Sequence, residues 1–383
     1  MIFIGNEGRI EMKPLSVSKY IKNNKKSYIT SIIAIALSII LGYGVECFIE
    51  SISESSYSSQ VKPLEKAFTI SRISDKEISL EYVDKLKKSD FVEKLIPTNI
   101  SYVKYSTQGS VSNVRIFSIL PEDREYFMNK YDMTLEKGSL PKEGQKEIAI
   151  DERIAKNNNV SIGDSLGDNK IVGVLSSEYF LSLSSYASTS DEVSRYKDIS
   201  KDDLIKNEMV IFPNDDKRDD LDELIRTFSK KDINYSILSE GMEKYQSGTS
   251  SSKQILDALF VLIVIVMVVT LSSSKYAQFI NRKIEFGILN ALGYSRGMLM
   301  KRALKEVLIF NLSGFVVGII LGVATSFIVT KAAFTDLGAI GVFISIKGIV
   351  ISLLTPAFTA LFTLIPIYRV LGRLDAITII EEG

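Results

Sequence analysis

The sequence predicts an α-helical membrane protein with four transmembrane helices and an extracytoplasmic α+β domain inserted between helices 1 and 2. Three observations carry that expectation. Four apolar runs are each long enough to cross a bilayer, which takes about 20 residues: Ile29–Phe48, Ile255–Tyr276, Val307–Val329 and Ile349–Val370. The stretch between the first two is polar and carries the mixed patterning of a globular domain. Lys and Arg gather at alternate ends of the four runs, so the spans thread in one consistent sense.

Composition narrows the chemistry. The 383 residues include 46 Lys+Arg and 46 Asp+Glu, a balance that asks for no nucleic-acid partner. A mean hydropathy of +0.15 beside 24% charged residues is the average of lipid-embedded and water-exposed segments. There is one cysteine, Cys47, and no histidine or tryptophan. That set excludes an intrachain disulfide, the usual zinc site, and Ser-His-Asp or Cys-His catalysis. Tyr and Phe are left as the aromatic anchors at the membrane surface.

Residues 1–28 form a basic N-terminal segment with Arg9, Lys13, Lys19, Lys22, Lys25 and Lys26, which places the N-terminus in the cytoplasm. The first span, 29–48, has too long an apolar core for a signal peptide, and no A-x-A-like site follows it, so it reads as a retained anchor. Glu46 near its outer end reads as solvated at the interface, and Cys47 as a small apolar filler.

Residues 49–254 form the external domain. Ser74 with Glu77 has capping-box spacing for a helix carrying Leu80, Val83 and Leu86, running on through Phe91, Val92 and Leu95 until Pro97 stops it. SYVKYST, VRIFSIL, EIAI, KIVGV, MVIFP and NYSIL read as strands, DERIAKNNN and DDLDELIRTFSKK as helices, and the serine-rich Ser176–Ser190 as a loop. Ser51–Lys66 and Glu240–Gln254 extend the flanking helices as a stalk. No cluster of catalytic residue types stands out.

The second span is 255–276. The connection 277–306 holds Arg282, Lys283, Arg296, Lys301, Arg302 and Lys305, which puts it in the cytoplasm. Ile284, Ile288, Leu289 and Leu292 recur at helical spacing, Gly293 falls where a helix C-cap is expected, and Tyr294-Ser295-Arg296 opens the next helix. A short helix there can dock a soluble partner or simply orient its neighbours. The third span, 307–329, repeats Gly314, Gly318 and Gly322, a small-xxx-small spacing that suits close helix packing within the chain or between two copies. Residues 330–348 make a short external loop with only Lys331 and Lys347. Pro356 and Pro366 kink the fourth span, 349–370, and Arg369 and Arg373 set the tail, 371–383, in the cytoplasm.

The run RKIEFGILNALGYSRGMLMKRALKEVLIFNLSGFVVGIILG resembles the signature of FtsX-like, MacB-type ABC permeases, through Arg282, Lys283, Glu285, Gly287, Leu289, Ala291, Gly293, Arg296, Glu306, Gly314 and Gly318. YIKNNKKSYITSIIAIALSI is similar to the family's basic entry to its first helix. GSLPKEGQKEIAIDERIAKNNNVSIGDSLGDNKIVGVL is similar to a MacB-type external domain, and IPIYRVLGRLDAITII to the family's closing segment. The resemblance implies a permease subunit that dimerises with a second copy or a homologue. It implies two copies of an ABC ATPase docked on Arg282, Lys283, Glu285, Gly287, Leu289, Ala291, Leu292, Gly293 and Arg296. ATP and Mg belong to that partner, with no cofactor held by this chain. No G-x-x-x-x-G-K-[ST] phosphate loop occurs, so the ATPase is expected in another chain. The implied activity is export or extraction of a peptide, antibiotic or lipid-linked substrate by movement of the external domain. The alternatives are FtsX-like signalling to cell-wall hydrolases, and antimicrobial-peptide resistance with a sensor kinase; an external adaptor is a further partner of such complexes.

Overall fold

The structure is a computed structural model that describes residues 17–74, 76–107 and 110–372. Arg9, Lys13 and Arg373 lie outside the described residues. In chain order, α1 (Val17–Asn23) leads into α2 (Lys25–Gln60), then β1 (Phe68–Arg72), α3 (Leu80–Lys88), β2 (Val92–Thr107) and β3 (Ser110–Ile119). Next come α4 (Pro121–Lys130), β4 (Thr134–Gly138), β5 (Glu147–Asp151), α5 (Glu152–Asn158), β6 (Ser165–Leu166), β7 (Asn169–Ser176) and β8 (Ser182–Ser184). Then follow α6 (Ser190–Asp198), α7 (Lys201–Ile205), β9 (Glu208–Pro213), α8 (Arg218–Arg226) and β10 (Ile233–Ser236). The chain closes with α9 (Leu238–Ile280), α10 (Lys283–Ala291), α11 (Arg296–Ala333), α12 (Ile346–Ser352) and α13 (Leu354–Gly372).

Among the described residues, four helical stretches are long and apolar enough to cross a membrane: Lys25–Gln60, Lys253–Ile280, Arg296–Leu337 and Ile346–Leu371. Their outward faces remain apolar, as at Leu259, Ile265, Val269, Val316 and Ile320, the surface a helix shows to lipid rather than to water. The fourth is interrupted at Leu353, between α12 and α13. Pro356, three residues on, has no N–H to give to the carbonyl of Ser352. Pro366 lies inside α13.

The chain divides into two compact units. One is Met1–Cys47, Leu256–Ile328 and Phe343–Gly383; the other is Phe48–Ile255 and Val329–Val342. The second unit is built on a ten-stranded mixed sheet in the order β10-β1-β9-β2-β3-β8-β5-β7-β4, with β6 on β7. β2 joins its two halves: Val92–Pro97 pair with β9, and Thr98–Thr107 pair with β3. Pro97 does not stop a helix here. It is the last residue to face β9 before β2 changes partner, where one missing ladder donor is tolerated. Val92 and Leu95 therefore lie in a strand, with Phe91 just before it, as β-branched and aromatic residues favour.

Two further expectations are corrected. The Ser74–Glu77 box does not form; Ser74 takes φ +53 in a turn, and Ser79 caps α3 by accepting from Glu81 N–H at 3.3 Å. Ile78 is buried first, its N–H bonded to the Lys206 carbonyl at 2.8 Å, so the helix starts only at Leu80, its cap five residues beyond Ser74. Ser176–Ser190 is not a plain loop: Ser182–Ser184 form β8, buried between β3 and β5. The Ser182 hydroxyl accepts from Asp151 N–H at 3.0 Å and the Ser184 hydroxyl meets that of Ser118 at 2.7 Å, so these polar side chains are satisfied inside the sheet.

Residues 329–342, read as the last residue of the third span and part of the short external loop 330–348, belong to the sheet unit. Phe334 is fully buried beside Phe48, ring centroids 5.2 Å apart. Tyr105 donates its hydroxyl to the Gly338 carbonyl at 3.1 Å, and Asn157 its amide to the Leu337 carbonyl at 2.8 Å. Ser55 of α2 donates to the Ile340 carbonyl at 2.9 Å and accepts from its N–H at 3.0 Å, while Ser51 accepts from Val342 N–H at 2.9 Å. Gly338 takes φ +73, and a Cβ there would lie 2.0 Å from the Arg153 carbonyl oxygen.

Candidate functional site

The sequence points to residues 282–306, and there the structure places four charges together. α9 ends at Ile280 and the chain turns at Asn281 and Arg282 into α10. The Arg282 guanidinium donates to Glu285 at 2.8 Å and to both carboxylate oxygens of Glu306 at 2.9 and 3.0 Å. Glu285 also accepts from Arg302 at 2.6 Å. These charge-assisted bonds tie the start of α10 to the first turns of α11. Arg302 is only 5% exposed. Phe286 is fully buried, its ring centroid 5.2 Å from the Arg282 guanidinium and 5.5 Å from that of Arg302. Burial of the Glu285 carboxyl opposes its ionisation, but the Arg282 and Arg302 guanidinium groups outweigh that and hold it below the usual carboxylate range.

The far end of α10 closes with equal definition. Gly293 takes φ +91; its N–H donates to the Asn290 carbonyl at 3.0 Å and that of Tyr294 to the Leu289 carbonyl at 3.1 Å. This is a Schellman turn, and Tyr294 packs into the cluster that holds Leu289. Ser295 then caps α11, its hydroxyl accepting from Met298 N–H at 3.4 Å. The inward face of α10 is Phe286, Gly287 and Leu289, set among Phe279, Leu299, Ala303, Ile367 and Leu371.

The helical apolar spacing therefore divides in two. Leu289 faces in, but Ile284, Ile288 and Leu292 face out, at 55%, 52% and 70% exposure. They form a ridge one turn apart on the free side of the helix. Lys283 is half-buried, while Ala291, Gly293 and Arg296 are exposed. Sequence reasoning missed Arg302 and Phe286 as parts of this site. Spacing gave no signal for Arg302: the carboxylate one helical turn on from it, Glu306, is taken by Arg282, and its own partner, Glu285, lies on another helix.

Gly314, Gly318 and Gly322 of α11 face Ile35, Ile39 and Tyr43 of α2, a stripe of small residues against a stripe of large ones at the same four-residue spacing. A Cβ at Gly314 would lie 2.6 Å from Ile35 Cβ, and one at Gly318 2.6 Å from Ile39 Cβ. Glu46 is not solvated: it is 2% exposed and ion-paired with Lys347, the partner a buried carboxylate requires. Arg369 is exposed. Among the described residues, no group of His, Cys, Asp and Glu could hold a metal ion.

Residues 258–375 match the family model described as FtsX-like permease C-terminal. No curated protein matches the chain. Among solved structures, the periplasmic region of MacB from Actinobacillus actinomycetemcomitans aligns with 48% of this chain and 94% of its own, at 14% identity and a TM-score of 0.28. The extracellular domain of the noncanonic ABC-type transporter YknZ from Gram-positive bacteria aligns with 45% of this chain and 98% of its own, at 11% identity and a TM-score of 0.25. A domain of a putative permease protein from Porphyromonas gingivalis aligns with 47% of this chain and 89% of its own, at 9% identity and a TM-score of 0.23. The match over 258–375 takes in the whole of α10 and all or most of three of the four apolar stretches, so that segment is similar to the C-terminal part of FtsX-like permeases.

Proposed function

We propose that this chain is the membrane subunit of a MacB-type ABC complex, converting ATP hydrolysis in a separate ATPase into movement of the sheet unit. One observation carries the reading. α10 is clamped at its start by Arg282, Glu285, Arg302 and Glu306 and at its end by the Gly293 turn, and it presents Ile284, Ile288 and Leu292 outward. A short, rigid, apolar ridge fits a groove on a soluble partner better than it fits water. The basic residues around it favour the cytoplasmic side, with both chain termini, and so assign the sheet unit to the outside. On this reading two ATPases meet two permease chains, the ATP and Mg staying with the ATPase. The work is export or extraction of a peptide, antibiotic or lipid-linked substrate.

Co-purification with the cognate ATPase tests the docking assignment. Ile288→Glu and Leu292→Glu, both on the exposed ridge, should each lower ATPase recovery by at least about tenfold, the scale of one lost anchor at an interface, with the yield of permease unchanged. Full recovery with both variants refutes it.

A further inference from the structure

A cavity of about 150 Å³ opens in the sheet unit between the end of α2, the β2–β3 hairpin and the start of α9. Arg115 and Tyr102 stand opposite each other in the β2–β3 register, and Asn113, two residues on in β3, shares their face. Gln60 comes from the last turn of α2, Glu240 and Lys244 from the first turns of α9.

The cavity is unusual in what its side chains leave undone. Elsewhere in the sheet unit, Lys62, Lys94, Arg124, Arg153 and Lys201 all meet carboxylates. Arg115 and Lys244 make no side-chain hydrogen bond or ion pair among the described residues, nor do the amides of Gln60 and Asn113. Glu240, the carboxylate at hand, is committed to Lys230. Two uncompensated cations thus converge on a space the size of one amino-acid residue, with Tyr102 exposed at its edge.

We propose that this cavity binds the terminal carboxylate of a peptide. A guanidinium fork matches a planar carboxylate. The two amides offer acceptors as well as donors, which suit the peptide N–H behind a carboxylate and are wasted on a phosphate. Tyr102 supplies an apolar surface for the adjoining side chain. The proposal rests on the permease reading and names its substrate class.

The test uses the full chain in nanodiscs without any ATPase, so its outcome is independent of the docking experiment. The probe is N-acetyl-Ala-Tyr-Ala, titrated calorimetrically as the free acid and as the C-terminal amide, with inorganic phosphate as a third arm. The free acid binds, and amidation or Arg115→Gln weakens it by about tenfold or more, the effect of losing one charge-assisted pair. Lys244→Gln weakens it less, and Arg115→Lys restores part of the loss. Lys88→Gln, exposed on α3 and not among the lining residues, changes nothing. The proposal fails if the free acid does not bind or the amide binds equally well. It fails too if phosphate competes at the peptide's own concentration, which marks a general anion site. If Arg115→Gln does not fold, the acid-against-amide comparison on the unaltered chain still decides.

Discussion

Arg302 shows how unequal two ends of one ion pair can be. Its guanidinium is buried, while the carboxylate it meets, on Glu285, is 40% exposed. Glu285→Gln strands a buried cation and should lower stability by about 3 kcal/mol. Arg302→Met fills the same space and lets Glu285 turn to water, so it should lower stability by about 1 kcal/mol. Thermal unfolding of both variants in detergent measures the difference, and equal losses would contradict the burial. Glu208 gives a second prediction. Burial pushes its carboxyl up from 4.5 to about 7, against the Ile100 N–H bond of 2.6 Å that favours the ionised form. Between those values the folded chain keeps a proton that the unfolded chain has released. The stability from Glu208 is therefore complete below 4.5 and is lost as pH rises through about 7. Glu208→Gln should flatten that slope and raise the unfolding temperature on its alkaline side.

At the level of elements, the sequence is most legible where structure is local. The Gly293 turn could be read directly, because an αL residue ending an amphipathic helix is a glycine for steric reasons. The four apolar stretches could be read because lipid demands a contiguous length of chain. β8 could not, since Ser182 and Ser184 look like loop residues until their hydroxyl partners arrive from β3 and β5. Arg302 and Glu285 could not be paired from spacing alone, since they sit on different helices. The stripe of Gly314 and Gly318 was visible, but not which surface it meets; α2 fills it with Ile35 and Ile39. Gly318→Val should then cost about 1–3 kcal/mol by overpacking, seen as a lower unfolding temperature in detergent. A loss reversed by Ile39→Ala in the same chain would identify the contact as this one.

For the whole molecule, fold class and order of elements were within reach of the sequence, but the sheet was not. β1 pairs with β9 and β10 across most of the domain, and residues 329–342 return from far along the chain to join it. No periodicity encodes such distant neighbours. The threading of the chain is testable from one property: Cys47, its lone cysteine, is buried. Asp168→Cys should react with an impermeant maleimide on intact cells, and Leu292→Cys only after the membrane is opened. Labelling of both from the same side would refute this threading, and the opposite pattern would reverse the orientation. The bonding of residues 329–342 to α2 has its own consequence. The helix climbs about 6 Å over the four residues from Ser51 to Ser55, and an extended strand covers nearly the same distance in two, as from Ile340 to Val342. A one-residue slip would swing both hydroxyls some 100° around the axis and orphan three backbone groups at once. Because residue 59 is also serine, a slip of one full turn would present an equivalent pair, Ser55 and Ser59. The two segments thus behave like a notched rule, with stops a helical turn apart and no foothold between them.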